Sequence, residues 1–489
     1  MSDNSKYVRE DTFTGNITFP KDVELDVPAL IAIITKNQSK AEQYQQDQDY
    51  YNGNHAILNS LGNVSGINKK LVVNMPYYLV NTFNGYFIGN EPTIALDDDK
   101  QNEQLNDWLN VNSFQDKLNE VSKEVDIVGK WYMYLYQNEQ SETKVATISP
   151  DDGVMVYDDT IEQKPLAFVR MWKSYDNEQC AEVSFADKII SYNTDNETVI
   201  EERPNLYHQV PAVEFYANEE RASLFEPVKT LCAELDEVMS SKANQVAYFD
   251  NAYLKILGLD LTDSETGEVN FNIANDRMLY APDPEAANAD VGFVEKPDGD
   301  TQQEHLIERL TDMIFQTSMI SNLNDKVFSG NSSGVALEYK LLPMKNLALN
   351  KERKFTQQLR QLLSIVLGIG TVVGGSSLDC VKDLSFTFTR NIPTNVDSEA
   401  DAAQKLTGIV SQETQLAQLS FVKDPKKEIE QMHEEEKEKT RNAIENSGAD
   451  YNWNNDKQDE NDKDSQDDDK QDNGEDEKKG KKAVNDEQS

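Results

Sequence analysis

Three sets of residues in this chain could carry chemistry. Adjacent carboxylates occur at Asp97-Asp98-Asp99, Asp151-Asp152 and Asp158-Asp159, and paired carboxylates are what a two-metal nuclease needs. Their spacing argues against that use. Neighbours on a strand point to opposite faces, and carboxylates in turns face water. The four histidines (His55, His208, His305, His433) are scattered, and the three cysteines (Cys180, Cys232, Cys380) form no spaced pair. Neither a metal centre nor a disulfide framework is expected from them. No glycine-rich phosphate cradle of the G-x-x-x-x-G-K type is present, so nucleotide hydrolysis would have to come from a partner. We expect no catalytic, cofactor or metal site, and no enzyme. The third set is basic. Between Gly334 and Arg360 stand Lys340, Lys345, Lys351, Arg353, Lys354 and Arg360 against Glu338 and Glu352, a local +4 in a chain of net charge -41.

The elements that must position this island can be read from spacing. Thr301 and Glu304 have capping-box spacing, and Leu306, Leu310, Met313, Ile314 and Ile320 follow at helical intervals. A polar, glycine-containing loop comes next: Asn324, Asp325, Lys326, Val327, Phe328, Ser329, Gly330, then Asn331 to Ser333. A second helix starts near Gly334. Pro343 removes one hydrogen bond from it and should bend it. Beyond the bend Phe355, Leu359, Leu362, Leu363, Val366 and Leu367 form a core stripe. A loop between two helices, beside basic charge, fits a part that touches a moving polyanion. An ordinary helix connection is the plainer alternative. The basic residues have three readings: pairing with acids across an interface, facing DNA, or a solvated face.

The totals narrow the class. A chain of 489 residues can hold several cores. Its 88 acids against 47 bases exclude the usual footprint of a static DNA binder, which releases counterions through clustered Lys and Arg. No apolar run approaches the roughly 20 residues that span a bilayer, and the N-terminus lacks a signal peptide pattern. A reducing cytosol and no membrane are expected.

Along the chain, the first 25 residues read as a loose polar arm. Asp26 to Tyr51 reads as a helix ending at Asn52-Gly53, Lys70 to Asn74 as a strand, and Pro76–Phe87 and Phe114–Val128 as helices. Strands follow near 131–137, 144–148, 154–157, 165–172, 181–185 and 189–192, forming one mixed or antiparallel sheet with one face covered. Ser223 opens a long helix to Phe249. Short strands between Tyr253 and Asp300 (Tyr253 to Leu259, Val269 to Phe271, Met278 to Ala281 and Val291 to Glu295) then make a small insertion at the far end of an antiparallel helix pair. Leu384 to Phe388 reads as a strand, and 399–446 as helical with a break at Asp424-Pro425. From Asn446 to Ser489 there are 15 acids and 7 bases, which cannot build a core. The fold class is α+β.

Several local patterns resemble the portal (head–tail connector) proteins of tailed bacteriophages, of the kind found in siphophages of Gram-positive hosts. They are Asp49-Tyr50-Tyr51-Asn52-Gly53-Asn54-His55 with Val72-Val73-Asn74 and Gly85-Tyr86-Phe87-Ile88-Gly89; Ile148-Ser149-Pro150-Asp151; Val210-Pro211-Ala212-Val213-Glu214-Phe215; and Ser240-Ser241-Lys242-Ala243-Asn244. Further on come Ser333-Gly334-Val335-Ala336-Leu337-Glu338-Tyr339-Lys340, Arg390-Asn391-Ile392-Pro393-Thr394-Asn395, Ser411-Gln412-Glu413-Thr414 and Val422-Lys423-Asp424-Pro425. Their order across Tyr44 to Glu438 carries the resemblance.

The resemblance implies a dodecameric ring at a capsid vertex, with an N-terminal wing region at 1–222 and stem helices at 223–252 and 301–323. It also implies a clip at 253–300, a tunnel loop at 324–333, a kinked helix at 334–370, a wing strand region at 371–396 and a crown at 397–446. The acidic tail at 447–489 is expected to be disordered and receives no role. The implied partners are further copies of the chain, double-stranded DNA held without sequence preference, the terminase large subunit, a head–tail adaptor, and the major capsid and scaffolding proteins. The implied location is the virion, with assembly in the host cytoplasm. In that setting the resemblance places Asn324, Asp325, Lys326, Val327, Phe328, Ser329 and Gly330 in the channel, with Gly334, Lys340, Pro343 and Lys345 on the helix behind them. The competing readings are a non-conduit capsid-associated structural protein and a metal-dependent nuclease.

Overall fold

The computed structural model describes residues 3–60, 68–249, 254–259, 278–281, 290–293, 300–323, 334–373, 378–392, 396–419, 421–422 and 425–446. It divides into two units, Met1–Ile392 and Pro393–Ser489. Helices and strands are mixed in an α+β fold.

The first unit opens against expectation. The N-terminal residues are not a loose arm. They form β1 (Arg9–Glu10) and β2 (Ile17–Phe19), and β2 pairs in parallel with β6 (Gly153–Asp158). Val8, Ile17, Phe19 and Leu25 are buried under α1 (Val27–Tyr51). Short polar stretches around them masked this core contribution. Asp26 caps α1, accepting from the Ala29 amide at 3.0 Å, with Pro28 in the first turn.

The predicted strands divide between two sheets rather than one. β6, β7 (Pro165–Lys173), β8 (Gln179–Ser184), β9 (Lys188–Asn193) and β10 (Thr198–Pro204) continue the sheet begun by β1 and β2. β4 (Lys130–Gln137) and β5 (Thr143–Ile148) join β11 (Ala212–Tyr216) in a separate antiparallel sheet. Alternation explains the stacking. Val154, Val156, Ala167 and Val169 face α1, while Met155, Tyr157 and Phe168 face Tyr132 and Tyr134 of the second sheet. Both faces of the larger sheet are therefore covered over this region.

The largest core gathers α2 (Met75–Ile88), α3 (Asp99–Val111) and α4 (Phe114–Val128) around the long helices. α3 has no counterpart in the expected elements. Gly129 ends α4 at φ 89°, where an added Cβ would lie 1.8 Å from the Arg221 carbonyl oxygen, so only glycine fits. The helix expected from Ser223 starts later: a 3-10 turn at Glu226–Val228 precedes α5 (Lys229–Phe249). α6 (Asp300–Ser318) packs on α5. Glu304 near the start of α6 pairs with Lys242 late in α5, and α6 also reaches the 3-10 turn before α5, so the two run antiparallel. Between them in sequence, β12 (Leu254–Leu257) pairs in parallel with β13 (Met278–Ala281) and antiparallel with β14 (Asp290–Phe293). The strand expected at 269–271 lies outside the described residues. α7 (Gly334–Gly368) follows, and β15 (Ser385–Thr387) pairs with β3 (Thr93–Ala95).

The second unit holds α8 (Val396–Leu406), α9 (Gln412–Leu416) and α10 (Pro425–Asn446), three helices where one broken helix was expected. Gln415 ties α9 back to the Ala403 carbonyl at 2.9 Å and the Thr407 hydroxyl at 2.8 Å. The acidic tail at 447–489 lies outside the described residues.

Candidate functional site

The candidate loop is carried by α6 and α7. α6 stops at Ser318, short of the expected Leu323, because Met319 takes φ 61° and cannot continue the helix. The chain that leaves it is pinned on two sides. Ile320 is buried, and the Ser321 hydroxyl donates to the Lys340 carbonyl at 2.8 Å. The Leu323 amide donates to the Tyr78 hydroxyl of α2 at 3.3 Å, and the Tyr78 ring meets Phe315 edge-on at 5.7 Å. Asn324, Asp325, Lys326, Val327, Phe328, Ser329 and Gly330 lie outside the described residues, as do 331–333. The backbone returns at Gly334 and α7 runs through Pro343 as continuous helix. Pro343 has no amide for the Tyr339 carbonyl. The next carbonyl, that of Lys340, is the one that receives Ser321. Lys345 is exposed and Lys340 half-buried.

The basic island is not one surface. Lys351 is 1% exposed. Its ammonium lies 2.7 Å from Asp126, donates to the Ser122 carbonyl at 3.0 Å, and sits over the rings of Phe83, Phe87 and Phe355. Burial pulls the Lys351 ammonium below its ordinary range, and Asp126 opposes that pull. Lys354 pairs with Glu219 over Tyr216, and Arg360 donates to the carbonyls of Val381 and Leu384 at 2.9 and 3.0 Å. Three of the six cations thus serve this chain's own core and its borders. Glu352 is likewise taken, by Arg390. The sequence hid this because lysine is rarely buried unless paired, and Asp126 stands 225 positions away.

A second buried ionic group lies under α7 on β11. Glu214 binds Arg221 at 2.9 Å, and Arg221 stacks on Tyr216 at 4.0 Å. Burial alone would push the Glu214 carboxyl up; Lys130 and Arg221 together outweigh it and hold it below the ordinary range. In each carboxylate run singled out in the sequence, one member has a local partner. Asp98 caps α3, Asp158 accepts from Thr160 and Lys164, and Asp152 engages Ser149. Asp151 has one oxygen without a partner, and burial pushes its carboxyl up. Among the described residues no cluster of three His, Cys, Asp or Glu side chains could hold a metal ion.

Sequence reasoning missed a polar ladder on α5. The residues expected to form a strand near Lys70 pair with no strand. Instead, alternate backbone amides donate to side chains one helical turn apart. Lys69 donates to Asn244 Oδ1 at 2.6 Å, Leu71 to Ser240 Oγ at 2.9 Å, and Val73 to Asp236 Oδ1 at 2.6 Å. Ser240 and Asn244 return bonds to the Leu71 and Lys69 carbonyls at 3.2 and 3.1 Å. The other oxygen of Asp236 meets His55 Nδ1, and His55 stacks on Tyr50 at 4.0 Å. The signal was the four-residue polar spacing Asp236, Ser240, Asn244 along one face of the helix.

Two comparisons bear on this arrangement. The family described as "Phage portal protein, SPP1 Gp6-like" matches residues 31–442. The portal protein of Bacillus phage SPP1 is 25% identical over 384 residues, covering 72% of this chain and 73% of that protein.

Proposed function

The chain belongs to the phage portal protein family, SPP1 Gp6-like, and from that premise we propose that copies of it form the ring through which double-stranded DNA enters and leaves the capsid. Portal proteins are structural components of the capsid vertex and head–tail connector, and their work is physical rather than catalytic. In the proposed assembly α5 and α6 are the stem, the small sheet β12–β14 belongs to the clip that docks the terminase and later the adaptor, and the N-terminal sheets are the wing. Residues 324–333 are the tunnel loop, α7 stands behind them, and 397–446 form the crown. A ring of twelve copies follows the family pattern. A duplex is wider than the gap between packed helices, so the channel must lie between subunits, and assembly is essential. The acidic balance of the chain (net -41) repels the phosphate backbone and keeps contact with DNA brief.

The observation that carries this reading is the path α5, small sheet, α6, loop, α7, with the chain before the loop fastened to both Tyr78 and Lys340. Such fastening fixes the point from which the chain leaves for residues 324–333. Lys326 is the residue proposed to meet phosphate. Among the cations on α7, Lys345 and Arg353 are exposed and are left to face DNA or a neighbouring copy.

Deletion of Lys326 to Gly330 tests the loop. Rings should still form under the electron microscope, while packaging or retention of DNA should fail. Normal packaging by the shortened protein would remove the loop from the channel. Monomers or filaments in place of rings would favour the non-conduit, capsid-associated reading.

A further inference from the structure

The ladder on α5 joins two periodicities. Successive rungs are two residues apart on the extended segment and four apart on the helix. An extended chain advances about 6.6 Å in two residues, and a helix about 6.0 Å in four. The mismatch is roughly 0.6 Å per rung, small enough for every rung to close at 2.6–2.9 Å.

Near-equal repeats make the track self-similar. Were α5 displaced by one rung, Ser240 would face Val73 and Asn244 would face Leu71. Each pair again sets a side-chain oxygen opposite a backbone amide, and only one end rung is lost. What separates the two positions is Asp236. Its carboxylate serves two partners in the observed register, the Val73 amide and the buried His55 ring. His55 is 2% exposed and held from behind by the Tyr50 carbonyl at 3.0 Å and by the Tyr50 ring. A displaced α5 would leave that ring without its carboxylate.

We propose that α5 and residues 69–73 form a two-position track, with the Asp236–His55 contact selecting the observed position. Asp236, Ser240 and Asn244 are then positioning residues for α5. The extended segment runs into α2, capped by Asn74, and α2 carries the Tyr78 hydroxyl that holds Leu323. A one-rung shift therefore changes the axial offset between α5 and the support of the chain that leaves α6. The inference concerns contacts within one chain and does not depend on the conduit reading.

Spin labels on cysteines at the exposed positions Lys69 and Glu237, in labelled protein diluted with an excess of unlabelled copies, read the register within one full-length chain by pulsed dipolar distance measurement. The otherwise native chain should give one distance. Asp236→Ser keeps a hydroxyl for Val73 but removes the His55 contact; a second population should appear, displaced by about 6 Å. His55→Ala leaves every rung in place and should give the same second population in smaller amount. His55→Asn, which keeps a donor for Asp236, should restore the single distance. Adding Ser240→Ala to Asp236→Ser removes the oxygen that would take over opposite Val73, and the displaced population should vanish. A single native distance in both Asp236→Ser and His55→Ala would overturn the proposal. So would a broad, structureless distribution in both, since the ladder would then be a fixed clamp.

Discussion

The two halves of α7 follow different rules. From Glu338 to Lys351 the helix is largely on the surface: Tyr339 is 72% exposed and Leu342 45%, while Leu341, Met344 and Ala348 are buried and Leu347 packs against the core. After Lys351 the helix is the centre of the core, with Phe355, Leu359, Leu362 and Leu363 at 0%. Lys351 marks the change, neutralised by Asp126 and roofed by three aromatic rings. One rod thus has a half anchored by packing and a half that is largely exposed. The comparison teaches that charge density along a sequence says little about surface charge. The basic run looks uniform on paper, yet its members divide between anchoring and exposure.

Lys351→Ala should break this contrast most severely. It leaves Asp126 buried without a partner, at a cost of about 3–5 kcal/mol, read as a loss of denaturant midpoint. Replacing both partners with apolar residues should recover much of that loss. Leu362→Ala should come next, at about 3 kcal/mol from lost burial and the cavity left behind.

Glu214, beneath the buried half, sharpens the comparison through pH. Its folded titration lies below its unfolded one, so its contribution is fully present above the ordinary carboxylate value. It is lost as pH falls through the folded value. Glu214→Gln should cost about 2 kcal/mol near neutrality. The gap to the native protein should narrow below about pH 4 in acid titrations followed by circular dichroism. Lys345→Ala, in the exposed half, should change stability by less than about 0.5 kcal/mol. A larger loss would mean that this half is also anchored.

Much of the architecture was legible in the sequence. α1, α2, α4, the core strands and the long helices announce themselves through caps and apolar spacing. Asp26 with Pro28, and the run of apolar residues after Phe355, are local signals. What stayed hidden depends on distant partners. The stretch from Lys70 to Asn74 looks like a strand because its backbone is extended, but its bonds go to side chains on a helix more than 160 positions later. The division of strands into two sheets rests on β11, whose pairing with β4 joins residues about 80 apart in sequence. The candidate loop was legible only as a gap between helices. Its anchors, Ser321 on Lys340 and Leu323 on Tyr78, needed three dimensions.

The parallel pairing of β2 with β6 has a consequence for synthesis. Ile17 and Phe19 are synthesised some 140 positions ahead of their partners at Val156 and Asp158. Until then β2 has β1 on one edge and α1 as cover, while its other edge, the one that β6 takes, stays open. Closing so long a loop is slow. The growing polypeptide must therefore pass through an interval in which a bare strand edge and its future cover are both present and unjoined, the state in which chains pair with the wrong neighbour.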